Sequence, residues 1–268
     1  MTIARLTVVL LMLMLAEVTQ AETINCTPIT SLPATIMTQG LYCLTGNLAT
    51  SETSGAAITI NANNVTLDLN GWKVGGQGAG TGTQAYGIYS SATNVTIKDG
   101  IVRGFYFGIL LNGQGAVVQN MMVNQNTFVG ISVDGLGSLV EHNQVVDTGG
   151  STINSSVDAY GISSGSGALV SDNMVSGVTA TGSGQETGIS IDGTNSIARN
   201  NVVSNTALPP SGVTAYGIEN FQGIALNNTV SNFGVGIENE AGGIYAYNTA
   251  NNCTISYSGG TAGAGNSP

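Results

Sequence analysis

The sequence predicts an all-β fold, a right-handed single-stranded parallel β-helix of about eight coils. The first observation is a recurring Gly-Ile pair, at Gly87-Ile88, Gly108-Ile109, Gly130-Ile131, Gly161-Ile162, Gly188-Ile189, Gly217-Ile218 and Gly236-Ile237, with Ala57-Ile58 as a degenerate first copy. The second is an Asn or Asp that follows most copies at near-constant distance: Asp68, Asp99, Asn120, Asn143, Asn173, Asn200, Asn228 and Asn248. Two residues further on stands an aliphatic, such as Ile101, Met122, Val145, Val175, Val202 or Val230. The third is composition. With 39 glycines, 42% hydrophobic and only 7% charged residues, Val and Ile do the burying while Asn, Ser and Thr face water. That is strand-and-turn chemistry, and it lacks the Glu, Lys and Ala that long helices expose.

Each copy is a set of short strands hinged at a turn that Asn or Asp tolerates. One such unit cannot bury its own apolar side. Stacking the units gives every strand a parallel neighbour and one continuous core. Strand-to-parallel-strand crossovers are right-handed, which sets the sense of the coil. A propeller would need four antiparallel strands per blade of ~40 residues. The glycines here recur every 19 to 31 residues.

The segments follow in order. Residues 1–21 have the form of a signal peptide: Arg5, an apolar run from Leu6 to Ala16, and a polar stretch ending Thr19-Gln20-Ala21. That run is too short to cross a bilayer, which needs roughly 20 apolar residues. No later segment is apolar enough, so no membrane span is expected in the mature chain, and a secreted or periplasmic envelope location follows. Residues 22–55 form an N-terminal cap. Cys26 and Cys43 sit close together there, and in an exported chain the economical reading is one disulfide closing it. Cys253 is left over. Residues 56–257 carry the repeats. Residues 258–268 offer nothing to bury, and no fixed structure is expected of them.

The formal net charge is −10, and beyond residue 21 the basic residues are Lys73, Lys98, Arg103 and Arg199. Such a surface excludes nucleic acid as a partner. It also disfavours a polyanionic sugar unless a metal bridges the two.

The segment from Ala57 to Gly71, Ala-Ile-Thr-Ile-Asn-Ala-Asn-Asn-Val-Thr-Leu-Asp-Leu-Asn-Gly, resembles the opening coil of pectate-lyase-like β-helix proteins. Later copies such as Gly188-Ile189 with Asn200-Asn201-Val202 are similar to the repeat of exported bacterial members. The resemblance covers roughly residues 56–257. It implies the fold and an extracellular carbohydrate setting, without one activity, because the superfamily spans lyases, hydrolases, epimerases, esterases and adhesins. The polygalacturonase strings Asn-Thr-Asp, Asp-Asp and Gly-His-Gly do not occur, nor does the epimerase string Asp-Pro-His-Glu.

Candidate chemistry follows from stacking, since coils lie ~4.8 Å apart. The residue after each Ile points outward, giving the column Tyr89, Leu110, Ser132, Ser163, Ser190, Glu219 and Glu238. Glu219 and Glu238 then face solvent on consecutive coils, near the roughly 5–5.5 Å carboxyl spacing of retaining glycosidases. They are the first catalytic candidates. The same pair is open to calcium ligation, or to being two solvated acids. Asp134 and Asp192 share another column, read as turn aspartates. A second candidate set, His142, Asp172 and Arg199, would stack before the Asn column, as a base with its carboxylate or as an exposed ion-pair ladder. Tyr86, Phe107, Tyr160 and Tyr216 precede the glycines, and strand parity points them inward. The connections 147–160, 177–187 and 204–216 are long and consecutive, and should stack into a wall beside a groove.

The expectation for function is a secreted β-helix that binds, and in one version cleaves, an extracellular polysaccharide or cell-surface glycan along its side. An enzyme would be a polysaccharide lyase or glycoside hydrolase, with no cofactor required and calcium as an option. The alternative is a non-catalytic envelope or surface protein using the repeat as a rigid adhesive rod.

Overall fold

A computed structural model describes residues 25–268, so the signal-peptide reading lies outside the described residues. The chain forms a right-handed parallel β-helix in which 26 strands join one continuous sheet. Each coil contributes short strands to three faces. The first holds the Gly-Ile pairs, in strands such as Tyr86–Ser90, Phe107–Leu111, Val129–Val133, Ala159–Ser164, Glu186–Asp192 and Ala215–Phe221. The second runs through Val117–Gln119, Leu139–Glu141, Leu169–Ser171 and Ile197–Arg199. The third runs through Met122–Asn124, Gln144–Val146, Met174–Ser176 and Val202–Ser204.

On the first face Ile58, Ile88, Ile109, Ile131, Ile162, Ile189, Ile218 and Ile237 are register partners from coil to coil. All are fully buried. The glycine before each Ile also faces inward. A Cβ on Gly188 would lie 2.2 Å from Val203 Cγ1 and 2.6 Å from the Gly217 carbonyl oxygen. The same collision with a third-face valine recurs at Gly108 with Val123, Gly130 with Val145, Gly161 with Val175 and Gly217 with Val230. The repeat keeps glycine because the opposite wall of the core occupies that space.

The Asn column divides into two adjacent columns. Asp99, Asn120, His142, Asp172, Asn200, Asn227 and Tyr247 take positive φ at the corner between second and third faces. The next residue turns inward, so the buried ladder is Asn143, Asn173, Asn201, Asn228 and Asn248. Asp99, Asn120 and Asn200, all expected in the stack, belong to the corner instead, and Asn201 takes the place of Asn200 in the ladder. The third-face core shifts likewise: Val102, Val123 and Val203 are buried, whereas Met122 and Val202 are exposed. Connections of unequal length absorb the difference, so constant spacing misplaces a residue by one.

Both ends differ from expectation. The described part of the expected cap, 25–55, is already solenoid: Ala34–Ile36 pairs in parallel with Ala56–Ile60, Gly40–Leu44 with Val65–Asp68, and Leu48–Ala49 with Lys73–Gly75. Cys26 and Cys43 form the expected disulfide, joining the opening of the chain to the Gly40–Leu44 strand. At the other end, the expected lack of structure in 258–268 is overturned. Ile255–Ala262 is a strand paired with Val235–Ala246, and Asn266 Oδ1 accepts from the Asn248 backbone N–H at 3.0 Å. A finished coil edge offers backbone groups and an Asn ladder, and neither requires apolar side chains from the strand that adds to it.

Candidate functional site

The first face carries a groove along its outer surface. Because the glycine and the Ile both point inward, strict alternation breaks there, and the residue before the glycine turns outward. Tyr86, Phe107, Tyr160 and Tyr216 are therefore half-buried at the surface, contrary to the parity expectation. With Phe128, Tyr86, Phe107 and Tyr160 make an aromatic ridge along the axis, while Tyr216 stands beyond Thr187, two coils from Tyr160. Ring centroids are 5.5 Å apart for Tyr86 and Phe107, 5.2 Å for Phe107 and Phe128, and 5.9 Å for Phe128 and Tyr160. Tyr106 stacks on Phe128 at 4.7 Å. The rings meet mostly edge to face, as their quadrupoles favour, which leaves faces and edges open to solvent. A cavity of about 340 Å³ lies here, lined by Phe107, Leu110, Phe128, Ser132, Asp134 and Tyr160.

A second cavity of about 360 Å³ continues the groove and shares Tyr160 and Ser163 with the first. Its other walls are Gln185, Ser190, Asp192, Glu219 and Phe221. The long connections bond to one another, and of the expected wall Gln185 and Tyr160 reach this cavity. Thr181 Oγ1 donates to the Ser151 carbonyl at 2.7 Å, and the Glu186 N–H donates to the Thr214 carbonyl at 2.9 Å. Gln185 is fixed by its own N–H, which donates to Asp158 Oδ1 at 2.8 Å.

Glu219 sits on this floor and is only 6% exposed. Gln185 Nε2 donates to both of its carboxylate oxygens, at 3.1 and 3.0 Å, and Thr187 Oγ1 approaches Oε2 at 3.5 Å. Burial dominates, with the charges of Asp192 and Glu240 adding to it. Against the Gln185 hydrogen bonds, these push the Glu219 pKa up to about 7. Burial also raises Asp192, and Asp134 and Glu240 raise it further. Tyr160 is pushed up to about 12, by burial first and then by Asp158, Glu219 and Asp192. It remains a neutral hydroxyl.

Glu219 and Glu238 are backbone register partners on adjacent coils and differ in burial, Glu219 being buried and Glu238 half-buried. Asp192, read from sequence as a turn residue, lines the same cavity. The second candidate set is not assembled. His142 and Asp172 share the positive-φ corner with Asn200, while Arg199 lies one residue earlier, partnered with Ser171 and Leu226. All three are exposed, and the neighbour of His142 is Glu141, at 3.9 Å. Gln185 and Thr187 were missed. Thr187 stands in the pre-glycine column, between Tyr160 and Tyr216 in register, whereas Gln185 belongs to no repeating column, and only the length of the 177–187 connection signalled that something reaches over the face. Among the described residues no three His, Cys, Asp or Glu side chains gather into a metal site, and no helix is long and apolar enough to cross a membrane.

The architecture is shared with solved structures. The chain is similar to the Dettilon tailspike protein, with TM-score 0.59 and 17% identity over 83% of this chain and 54% of that one. It therefore spans about half the tailspike's length. It is also similar to pectate lyase Pel9A, with TM-score 0.56 and 16% identity over 85% of this chain and 69% of that one. A third match is the A-module of the Azotobacter vinelandii mannuronan C-5 epimerase AlgE4, with TM-score 0.51 and 13% identity over 87% of this chain and 80% of that one. These likenesses define the fold: a right-handed parallel β-helix. No protein-family model and no curated protein matches the chain.

Proposed function

We propose that this protein is exported and binds an extracellular polysaccharide along the first-face groove. The observation that carries the reading is the joining of an aromatic ridge to a polar cavity with no break, along an axis that suits an extended chain of sugars. Aromatic faces accept the apolar faces of pyranose rings, while Gln185, Ser163, Ser190 and the carboxylates meet hydroxyls. The tailspike, lyase and epimerase names of the similar structures agree with a carbohydrate ligand. The Cys26–Cys43 disulfide agrees with an oxidising compartment.

One observation favours hydrolysis at the same place. A carboxyl that keeps its proton to about pH 7 beside a second carboxyl on the next coil is an acid paired with a candidate nucleophile or base. In this version Glu219 protonates the glycosidic oxygen and Glu238 supports the sugar centre, directly or through water.

The test is an array of neutral, amino and acidic glycans, screened with and without calcium, followed by reducing-end release from each ligand that binds. Phe128→Ala should weaken binding about tenfold, the order of one lost stacking contact. Glu219→Gln should abolish release while binding persists. A wild-type chain that binds no glycan ends the reading, and one that binds without release removes the hydrolytic part.

A further inference from the structure

The lysines and arginines among the described residues are confined to two of the three faces. Lys73 and Arg103 stand on the third face and Lys98 and Arg199 at the end of the second. Lys98 is already engaged by Asp68 at 2.6 Å and Asp99 at 2.7 Å. Neither the first-face strands nor the connections beside them contain a lysine or arginine among the described residues. The polar end of the groove collects the opposite sign. Asp192 and Glu219 line the cavity, Glu238 is the register partner of Glu219, and Glu240 occupies the same column as Asp192 through Phe221.

A second observation points to a ligand in the same place. Ser190 lines the cavity, is 3% exposed, and its hydroxyl has no hydrogen-bond partner among the described residues. A hydroxyl that faces a cavity with no protein partner is free to bond a polar group that enters it. Ser190 stands in the outward column between Ser163 and Glu219, one coil from each.

We infer that the end of the groove between Tyr160 and Glu238 takes a positively charged amino sugar, a hexosamine with a free amine, within the glycan that the aromatic ridge holds. This rests on the glycan-binding reading above. An ammonium group has three donors and no acceptor, which matches two carboxylates and a hydroxyl. A uronate at the same place meets only like charge, and an acetylated nitrogen loses the ion pairing while keeping its bulk. The groove thus selects by charge at one end and by ring stacking at the other.

The experiment measures binding of β-1,4-linked hexamers of glucosamine, N-acetylglucosamine and galacturonate to the whole chain by calorimetry, at low and high salt. The glucosamine hexamer should bind at least about tenfold more tightly than the acetylated one near 20 mM salt, with galacturonate weakest. In 0.5 M salt the ratio should fall below about threefold, because exposed charges are then screened. The double variant Asp192→Asn, Glu240→Gln should bring the ratio below about threefold at low salt as well. A preference that survives that variant, or an acetylated or acidic hexamer that binds as tightly as the amine, overturns the inference. So does silence of all three hexamers when another glycan on the array binds, whereas silence of every glycan overturns the underlying reading instead.

Discussion

Two columns of polar side chains run parallel to the coil axis, the buried asparagines from Asn143 to Asn248 at one corner and the outward series Ser190, Glu219 and half-buried Glu238 on the first face. The first is closed on itself. Asn173 Nδ2 donates to the Val140 carbonyl at 2.9 Å and to Asn201 Oδ1 at 3.0 Å, and that oxygen also accepts the Asn173 N–H at 3.0 Å. Every step of the ladder repeats this arrangement. The second column is unfinished. A carboxyl is buried against one amide and a distant hydroxyl, and a serine hydroxyl is left without a partner. Fully satisfied networks hold a structure, whereas incompletely satisfied ones cost stability and persist where something else completes them.

The largest expected effect tests the closed column. Asn201→Leu removes the acceptor of the Asn173 N–H and side-chain amide, and the donor to the Val170 carbonyl. Three buried groups lose their partners at once. A loss of about 3–5 kcal/mol is expected from the denaturation midpoint. A loss under about 1 kcal/mol would show that water or backbone movement can replace the ladder.

The open column should respond in the opposite sense. The Glu219 pKa lies at about 7 in the fold against 4.5 for an ordinary glutamate. The unfolded chain therefore ionises first as pH rises, and the folded wild type loses stability between those two values and no further above them. Glu219→Gln carries no such charge. It should match the wild type at pH 4 and exceed it by about 2–3 kcal/mol at pH 8, allowing for solvent that reaches the cavity. Equal midpoints of the two proteins at both pH values would mean that the carboxylate is as well solvated folded as unfolded.

The two columns also differed in how legible they were. The Ile register was visible in the sequence because a side chain that must meet its copy on the next coil recurs with it. The first-face column containing Glu219 and Glu238 followed from that register and is present as expected. The Asn column was visible as a type but blurred by one residue. Asn200 and Asn201 are chemically identical neighbours, and only the backbone decides which turns inward. The surface aromatics were misdirected because alternation assumes an unbroken strand, and Gly87-Ile88 and its copies place two consecutive residues inside. The acid's environment was hidden for another reason. Gln185 reaches Glu219 from a connection 34 positions earlier in the chain, and no periodicity encodes that contact.

The smallest effect separates two residues that are adjacent in sequence. His142 occupies the exposed corner with φ 55°, and Asn143 occupies the ladder. Its column mates Asn120, Asn200 and Asn227 are residues whose short polar side chains tolerate that conformation. The amides also chain along the surface, Asn227 Nδ2 donating to Asn200 Oδ1 at 2.8 Å. His142→Asn relieves backbone strain and adds one member to that run, so it should stabilise the fold by about 0.5 kcal/mol and leave glycan binding untouched. The reciprocal change Asn143→His pushes a ring into the ladder and should cost several times as much. A destabilised His142→Asn, or one with altered glycan binding, would show that the imidazole has a role its exposure and its single acidic neighbour do not reveal.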